Sequence, residues 1–485
     1  RLPRQPNLEH LKGEAKALHK QALAEDAKAL ALIGKLHPRA AELTTPKLTD
    51  AQLTIARTYG FRSWPALRDY VKIVGEYSRS LVDAEGGDDA DRFLRLACLN
   101  YGSDERSRRA HARELLATRP ELAGASIHTV AAVGDVAAAR EHLACDREEP
   151  RRRGGPYAWE PLLYACYSRL DSTESGHSTL EVARLLLDHG ADHNAGFLWE
   201  GNSPPFTALT GVFGYGEDTP NQPPHQYELE LARLLLERGA DPNDEQTLYN
   251  NRWRRTDEHL DLLFEFGLGA GDGGPWHRRL GHRHATPEQM LQDQLLGAAG
   301  NGRDTRVELL VRHGVDVDGR GTRRRSPSAY ELAITNGATR VAELLRDAGA
   351  TVTRLDDVGE LLAAAMRGDR AAVERALAVD PAVAAEAITR YPGRLVSAAD
   401  LGRADAVTLL VGLGYDLDRV VAVAPLHLPA YHGDRAMVDL LIELGADPTV
   451  VDPHPNGTPG DWARHAHHDE LADHLDELAT SGGRR

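Results

Sequence analysis

Acidic and histidine side chains lie among aromatic residues in the stretch 159–276 of the sequence. A carboxylate or an imidazole can move a proton in a reaction when a desolvated pocket holds it beside the reacting group. The candidates for such a role are Glu160, Glu217, His225 and His259. Apolar walls around them would suit isomerisation, dehydration or cyclisation of an apolar substrate. The sequence contains no serine–histidine–aspartate spacing, P-loop or dinucleotide-binding fingerprint that would indicate another reaction class.

The aromatic residues of the same stretch predict a binding surface. Tryptophan and tyrosine are rigid, amphipathic anchors that are favoured at binding sites. Glycine and proline flank them, as is typical of loops with a defined shape. We expect one pocket or groove lined by Trp159, Tyr164, Trp199, Phe206, Tyr215, Tyr249, Trp253 and Trp276. In the alternative interpretation each ring packs its own loop onto neighbouring helices, because aromatic side chains also dominate core packing.

Histidine-rich and arginine-rich stretches are the remaining candidates for ligand sites. Histidines cluster in 277–284 and in 465–474, and zinc is held by histidine, usually together with cysteine or a carboxylate. The first stretch also carries three arginines, which would repel a cation, and the second falls in register with a repeating helical pattern. The sequence therefore predicts no metal site and no cofactor. The triplets Arg151–Arg153 and Arg323–Arg325 could bind an anion through guanidinium forks, or could be solvated loops.

Internal repeats indicate the elements that position these residues. The strongest copies are LLLDHGADHN at Leu185–Asn194, LLLERGADPN at Leu234–Asn243 and LLIELGADP at Leu440–Pro448. In each copy a leucine pair is expected to bury against the next layer, and the glycine can adopt a left-handed conformation in which a Cβ is costly. The Asp and Asn residues that follow are expected to satisfy backbone groups of the turn.

A second helical element precedes several copies, and Ala424–Pro448 reads APLHLPAYHGDRAMVDLLIELGADP. This pattern resembles the ankyrin repeat, a β-turn plus two antiparallel helices with a period of about 33 residues. The resemblance covers roughly residues 126–478 and implies an all-α, ankyrin-repeat solenoid with β-turn tips. Such arrays present their turn tips and inner helices as one concave surface, which by resemblance would bind another protein. About ten first helices are predicted, near Ser126, Glu160, Pro205, Thr247, Met290, Ser326, Val358, Arg394, Ala424 and Thr458.

The residues before the repeats predict a small N-terminal helical segment. Two helices are expected within Lys47–Val71, with a corner at Gly60. This segment resembles the one that precedes the repeats in many bacterial ankyrin-repeat proteins. The predicted domains are a helical segment at 1–82, an acidic linker with capping helices at 83–125, repeats with long aromatic insertions at 126–325, and regular repeats with a C-terminal cap at 326–485.

Composition narrows the classes of function. The formal net charge is −16, which argues against nucleic-acid binding because phosphate backbones require a basic face. The chain has three cysteines, a small and odd number that gives no disulfide framework. A chain without such a framework suits a reducing compartment. No stretch approaches the roughly 18 apolar residues that cross a membrane, and no secretory signal is visible. The expectation is a cytoplasmic protein that binds neither nucleic acid nor a membrane.

Two functions are compatible with this sequence. The main prediction is an intracellular scaffold that mediates protein–protein interaction through the concave face of its regular repeats. The alternative is a small-molecule-binding protein or acid–base enzyme, in which the aromatic insertions of the first repeats hold a small apolar molecule.

Overall fold

The computed structural model describes residues 2–3, 6–81, 86–170, 176–322, 326–454 and 456–482. The predicted helical fold is confirmed, since most of these residues lie in helices. Contacts divide the chain into two compact units, Arg1–Pro287 and Glu288–Arg485, which we call the N-terminal unit and the C-terminal unit. Within the described ranges, no helix combines the length and apolar character needed to cross a lipid bilayer.

The described residues of the N-terminal unit form fifteen α-helices and a small sheet. The helices are α1 Leu8–Leu23, α2 Ala27–Leu36, α3 Leu48–Thr58, α4 Trp64–Tyr77, α5 Asp89–Ala97, α6 Arg106–Thr118, α7 Ile127–Val133, α8 Val136–Cys145, α9 Pro161–Tyr167, α10 Thr179–Asp188, α11 Ala208–Phe213, α12 Glu228–Glu237, α13 Glu245–Asn250, α14 Glu258–Glu265 and α15 Gly274–Leu280. The strands are β1 Ser78–Arg79, β2 Gly196–Trp199 and β3 Phe206–Thr207.

The sheet was not predicted from the sequence. Strand β2 pairs in parallel with β1 and antiparallel with β3, so the order is β1–β2–β3. Gly196 permits the pairing with β3, because a Cβ at this position would lie only 2.8 Å from the carbonyl oxygen of Phe206. The sheet joins the end of α4 to the insertion that follows α10.

Helices α1 to α4 share one apolar core. The predicted corner is present: Gly60 adopts a φ of 83° after α3, and the Ser63 hydroxyl accepts a hydrogen bond from the backbone N–H of Ala66 at the start of α4. The acidic stretch that we interpreted as a linker becomes helical at Asp89, after a cap at Asp88. Acidic residues are favourable in the first turn of a helix because they oppose its positive dipole end.

The C-terminal unit contains the remaining helices. They are α16 Pro287–Gly300, α17 Asp304–Arg312, α18 Ala329–Thr335, α19 Thr339–Asp347, α20 Asp357–Met366, α21 Arg370–Val379, α22 Val383–Arg390, α23 Arg394–Asp400, α24 Ala404–Gly412, α25 His427–His432, α26 Arg435–Glu443, α27 Pro459–His465 and α28 Asp469–Gly482. Helices pair along the chain (α18 with α19, α20 with α21, α23 with α24, α25 with α26, α27 with α28), and the first helices of consecutive pairs also touch, as α25 does α27. Helix α22 has no counterpart in the predicted repeat.

The helix pairs begin where the repeat pattern predicted. Each of the ten expected first helices starts within three residues of its predicted position, from α7 to α27. The degenerate unit near Thr247 has a first helix of only six residues, α13. The turn after the second helix uses glycine in a left-handed conformation, as at Gly239, where φ is 100°. Between the helices of a pair Gly433 has a φ of 69°, and His467 adopts a φ of 66° at the equivalent position of the last pair.

In each of four repeats, one side chain forms a hydrogen bond that connects its turn to the turn of the next repeat. The residue lies at the tenth position counted from the first leucine of the pattern, and the four are Asn194, Asn243, Asp318 and Asp418. The backbone N–H of Thr351 donates to Asp318 Oδ1 over 2.9 Å, and that of Asp447 donates to Asp418 Oδ1 over 2.8 Å. The expectation that Asp and Asn satisfy turn backbone groups is therefore confirmed. At this position, the backbone groups that are bound belong to the following repeat.

Candidate functional site

The aromatic residues predicted to line one pocket lie in separate environments. Trp159 and Tyr164 are buried inside the N-terminal unit, where Trp159 exposes only 1% of its surface. The Trp159 ring lies 4.9 Å from that of Phe197 and 5.2 Å from that of Tyr164, measured between centroids. Phe206 continues this cluster, with its centroid 5.6 Å from that of Phe197. These rings form a packed interior beneath the insertions.

Tyr249 and Trp253 lie in a different, half-buried cluster around an arginine. The Arg252 guanidinium carbon lies 4.2 Å from the Tyr249 ring centroid and 3.9 Å from the Trp253 ring centroid. The Tyr249 hydroxyl donates a hydrogen bond to the exposed carboxylate of Glu217. A guanidinium between two aromatic faces is held by cation–π attraction, so its position is well defined.

Tyr215 extends this cluster through a second arginine. The Arg254 guanidinium carbon lies 5.3 Å from the Tyr215 ring centroid, and its nitrogens bind the carboxylate of Glu228. Burial raises the pKa of Glu228, while hydrogen bonding and charge attraction from Arg254 oppose that rise. Tryptophan, tyrosine and arginine are the residue types that dominate protein-binding energetics, so this cluster has the composition of an interaction surface.

Trp199 and Trp276 lie beside the sheet. Trp276 is buried, its indole Nε1–H donates to the carbonyl oxygen of Asn194 over 3.1 Å, and its ring lies 5.0 Å from that of Tyr77. Trp199 is half-buried at the end of β2, and among the described residues its buried Nε1 has no hydrogen-bond acceptor.

The four candidate acids and bases also have different neighbours. His225 is buried, and burial followed by repulsion from Arg169 lowers its pKa to about 3. It is therefore neutral near pH 7, with Tyr227 N–H donating to Nδ1 over 3.1 Å. His259 is buried against Phe213, with 6.2 Å between ring centroids.

Glu160 and Glu217 complete this set. Burial and the neighbouring Asp192 raise the pKa of Glu160, and the arginines Arg153, Arg151 and Arg279 oppose the rise. Glu217 is exposed and accepts from Tyr249. The two glutamates thus belong to separate clusters, each with its own arginines.

The cavities of the N-terminal unit do not match the predicted pocket. A cleft between β3 and α15 has about 20 Å³ of free space, roughly the room for one water molecule. It is lined by His193, Asn194, Pro205, Thr207, Leu209, Ala240, Asp241, Asn243, Asp244, Glu245, Trp276 and His284. A more open groove of about 240 Å³ along α12 and α14 is lined by Leu229, Arg233, Glu258, Asp261, Leu262 and Glu265. Of the predicted aromatic residues, Trp276 lines the cleft, and among the described residues neither of these two spaces is walled by the others.

The histidine-rich stretch 277–284 packs against helices elsewhere in the N-terminal unit. The His282 ring nitrogen Nε2 lies 3.0 Å from the carbonyl oxygen of Gly60, and the Arg283 guanidinium carbon lies 4.7 Å from the Phe61 ring centroid. This stretch therefore docks onto the corner between α3 and α4 and is not a solvated loop. Within the described part of the chain, no three His, Cys, Asp or Glu side chains are placed to hold a metal ion. The triplet Arg323–Arg325 lies outside the described residues.

The C-terminal unit exposes valines on its turns. Val352 is 57% exposed, Val421 is 50% exposed and Val451 is 45% exposed, and each follows the second helix of a pair. We call these three residues, together with the adjacent Val420, the valine tips. They lie on turns between consecutive helix pairs, where the resemblance to the ankyrin repeat implies turn tips. Sequence reasoning missed the valines, although paired β-branched residues in a turn are an unusual signal.

Comparison with known protein families gives one match. The family model for the ankyrin repeat matches residues 424–453, which comprise α25, α26 and the turn that carries Val451. No curated protein matches the chain. The chain therefore contains an ankyrin repeat, a module that generally mediates protein interactions.

Proposed function

We propose that this protein is a cytoplasmic ankyrin-repeat scaffold that binds another protein through its C-terminal unit. The valine tips and the adjacent inner helices would form the concave binding face of a solenoid. The observation that carries the proposal is the exposure of Val352, Val421 and Val451 on turns that include the matched repeat. Exposed apolar side chains on turns favour an interaction site, because burying them against a partner removes apolar surface from water.

The turns that carry the valines are well ordered, which favours binding. Asp318 and Asp418 fasten consecutive turns through the hydrogen bonds described above. Next to Val451, the Asp452 carboxylate accepts from the backbone N–H of Gly457 over 2.7 Å and from Trp462 Nε1 over 3.2 Å. A surface that is already rigid loses less conformational entropy when a partner binds.

The acid–base enzyme is not retained as a second proposal. The residues that predicted it are distributed over a buried aromatic interior, a half-buried arginine–aromatic cluster and two separately buried histidines. A reaction would require the acid or base beside a site that can accommodate a substrate.

Site-specific photo-crosslinking in cells tests the proposal. A benzophenone amino acid would replace Val421, Val451 or, as a control of equal exposure outside the repeats, Leu23, which is 53% exposed on α1. We expect a discrete adduct with a second protein from both valine positions and none from Leu23. The same adducts from Leu23, or none from the valines, would contradict the proposal. In addition, Val421→Asp should weaken binding of the captured partner by about tenfold or more, as expected for an anchor residue.

A further inference from the structure

Two arginines converge on one tyrosine ring at the edge of the sheet in the N-terminal unit. The guanidinium carbons of Arg153 and Arg279 each lie 5.1 Å from the ring centroid of Tyr77. The two charges are therefore at most twice 5.1 Å apart, which is about one Debye length in 0.1 M salt. Arg279 also lies 4.7 Å from the Trp276 ring centroid. The two like charges repel each other unless an anion lies between or beside them.

A third arginine and an indole lie on one face of the sheet that follows Tyr77. Arg79 and Trp199 are partners in the parallel pairing of β1 and β2, so their side chains project from the same face of the sheet. Arg79 donates through Nε and Nη1 to backbone carbonyls, among them that of Ser78 over 2.7 Å. Repulsion from Arg153 contributes to lowering the pKa of Arg79, second to burial, which indicates that the two cations are neighbours.

Several polar atoms have no hydrogen-bond partner here. Among the described residues, neither Arg153 nor Arg279 donates a hydrogen bond, and the buried Nε1 of Trp199 has no acceptor. The carboxylate nearest to Arg153 is that of Glu160, at 3.7 Å from Nε to Oε1, too far for a hydrogen bond. The Oε2 atom of Glu160 is buried without a donor.

Acidic side chains balance part of the charge of the cluster, above all Glu160, which pairs with Arg153 over 3.7 Å. Glu76 and Glu160 act on Arg79, and Asp192 and Arg151 act on Glu160. Arg151 donates through Nε to the carbonyl oxygen of Gly190 over 2.7 Å.

The scaffold that holds the cluster is rigid. Val74 of α4, Leu198 of β2, and Trp276 and Leu280 of α15 form one buried apolar core directly beneath it. Arg279 is placed by helix α15 and Arg79 by strand β1, whereas Arg153 lies in the loop before α9. Side chains on helices and strands present their forks in a more fixed geometry than side chains on loops.

We infer that Arg153, Arg279, Arg79 and Trp199 form a binding site for a phosphate group. Planar guanidinium forks match the oxygens of phosphate, and two cations that flank one ring favour a dianion over a single carboxylate. This site is independent of the proposed protein-binding surface, which lies in the other unit.

Isothermal titration calorimetry on the full chain tests the inference. Inorganic phosphate would be titrated at constant ionic strength set with sodium chloride, and O-phosphoserine would be titrated in parallel. We expect saturable binding that Arg153→Gln combined with Arg279→Gln weakens by about tenfold or more, as the loss of charge-assisted hydrogen bonds predicts. Tighter binding of O-phosphoserine would indicate a phosphorylated ligand, and equal binding would indicate the free anion, and either result supports the site.

Two further variants separate binding from folding. Glu160→Gln removes the nearest negative charge and should strengthen phosphate binding, an effect that damage to the fold would not produce. Arg184→Gln on α10, an exposed arginine 3.4 Å from Glu181, should leave binding unchanged. No heat of binding with the natural sequence, or equal affinity in the double arginine variant with an unchanged melting temperature, would overturn the inference.

Discussion

The two units join consecutive turns at the same position of the repeat but with different side chains. The N-terminal unit uses Asn194 and Asn243, which are buried, and the C-terminal unit uses Asp318 and Asp418, which are less buried. Asn243 both accepts from the backbone N–H of Gly269 over 2.8 Å and donates to the carbonyl oxygen of Ala270 over 2.9 Å. The aspartates only accept.

The difference shows how burial selects the side chain. In a buried turn, both a backbone N–H and a backbone carbonyl need hydrogen-bond partners. A neutral side-chain amide can satisfy both without burying a charge. A turn near solvent can leave its carbonyl to water, so a carboxylate is sufficient. The same contrast appears in the cores, because the N-terminal unit buries aromatic rings beneath its insertions whereas the C-terminal core is aliphatic apart from Tyr415.

The largest expected effect is the loss of a buried ring from the N-terminal unit. Trp159→Ala should destabilise the protein by about 3–5 kcal/mol, because it leaves a cavity among Tyr157, Tyr164, Tyr167 and Phe197. Urea denaturation measures this loss. Trp253→Ala is the matched control, and because Trp253 is half-buried it should cost clearly less. Equal losses would mean that Trp159 is not a core residue.

A leucine pair in the C-terminal unit should show a similar but smaller contrast. Leu441 is buried, whereas Leu440 is only half-buried, although the sequence pattern suggested that both pack inward. Leu441→Ala should cost about 2–5 kcal/mol and Leu440→Ala less, since its site is open to solvent. Hydrogen exchange should show increased opening confined to the C-terminal unit. A larger cost at Leu440 would mean that the register of α26 is wrong.

Exchanging Asn and Asp at the turn position directly tests whether burial selects the side chain. Asn194→Asp should destabilise by about 1–3 kcal/mol, because it buries a charge and removes the donor to the Gly239 carbonyl. Asp318→Asn should change the free energy of unfolding by less than about 0.5 kcal/mol, because an amide oxygen can still accept from Thr351. Both are measured by thermal and urea denaturation. Equal effects of the two substitutions would contradict the role assigned to burial.

The smallest effect is a pH dependence restricted to the C-terminal unit. Hydrogen bonds from the Thr351 hydroxyl and backbone N–H hold the pKa of Asp318 below its ordinary value. Its stabilising contribution is therefore present above the unfolded-state pKa of about 3.9 and is lost as pH falls through the folded-state pKa. Hydrogen exchange at Thr351, corrected for intrinsic rates, should accelerate in acid in the natural sequence. The acceleration should be absent in Asp318→Asn, and its persistence there would assign the effect to another group.

Much of the fold could be predicted because the repeat is local. Leucine pairs, turn glycines and the small residues of first helices recur at fixed spacing, so helix starts such as those of α7, α23 and α27 were found within three residues. Strands β1 and β2 were not predicted, because Ser78 and Leu198 pair across a long separation in sequence. Helix α22 was missed because nothing in the repeat pattern requires it.

The candidate site was less predictable than the fold. Composition identified aromatic insertions, but the same residue types serve in a buried interior at Trp159 and in a half-buried arginine cluster at Trp253. The histidines at 277–284 suggested ligand chemistry, whereas His282 and Arg283 fasten one helix corner. Side-chain type limits what a residue can do, and its neighbours decide what it does.

The sequence by itself determined the helical repeat, its period, its turn chemistry and the ankyrin character of residues 424–453, because each depends on contacts between residues close along the chain. Only the tertiary structure decided which aromatic rings are buried, which turn valines face water, and that Arg153 and Arg279 share one ring with Tyr77. These features join segments that are far apart in sequence. Their distances follow from packing, which no local pattern of residues encodes.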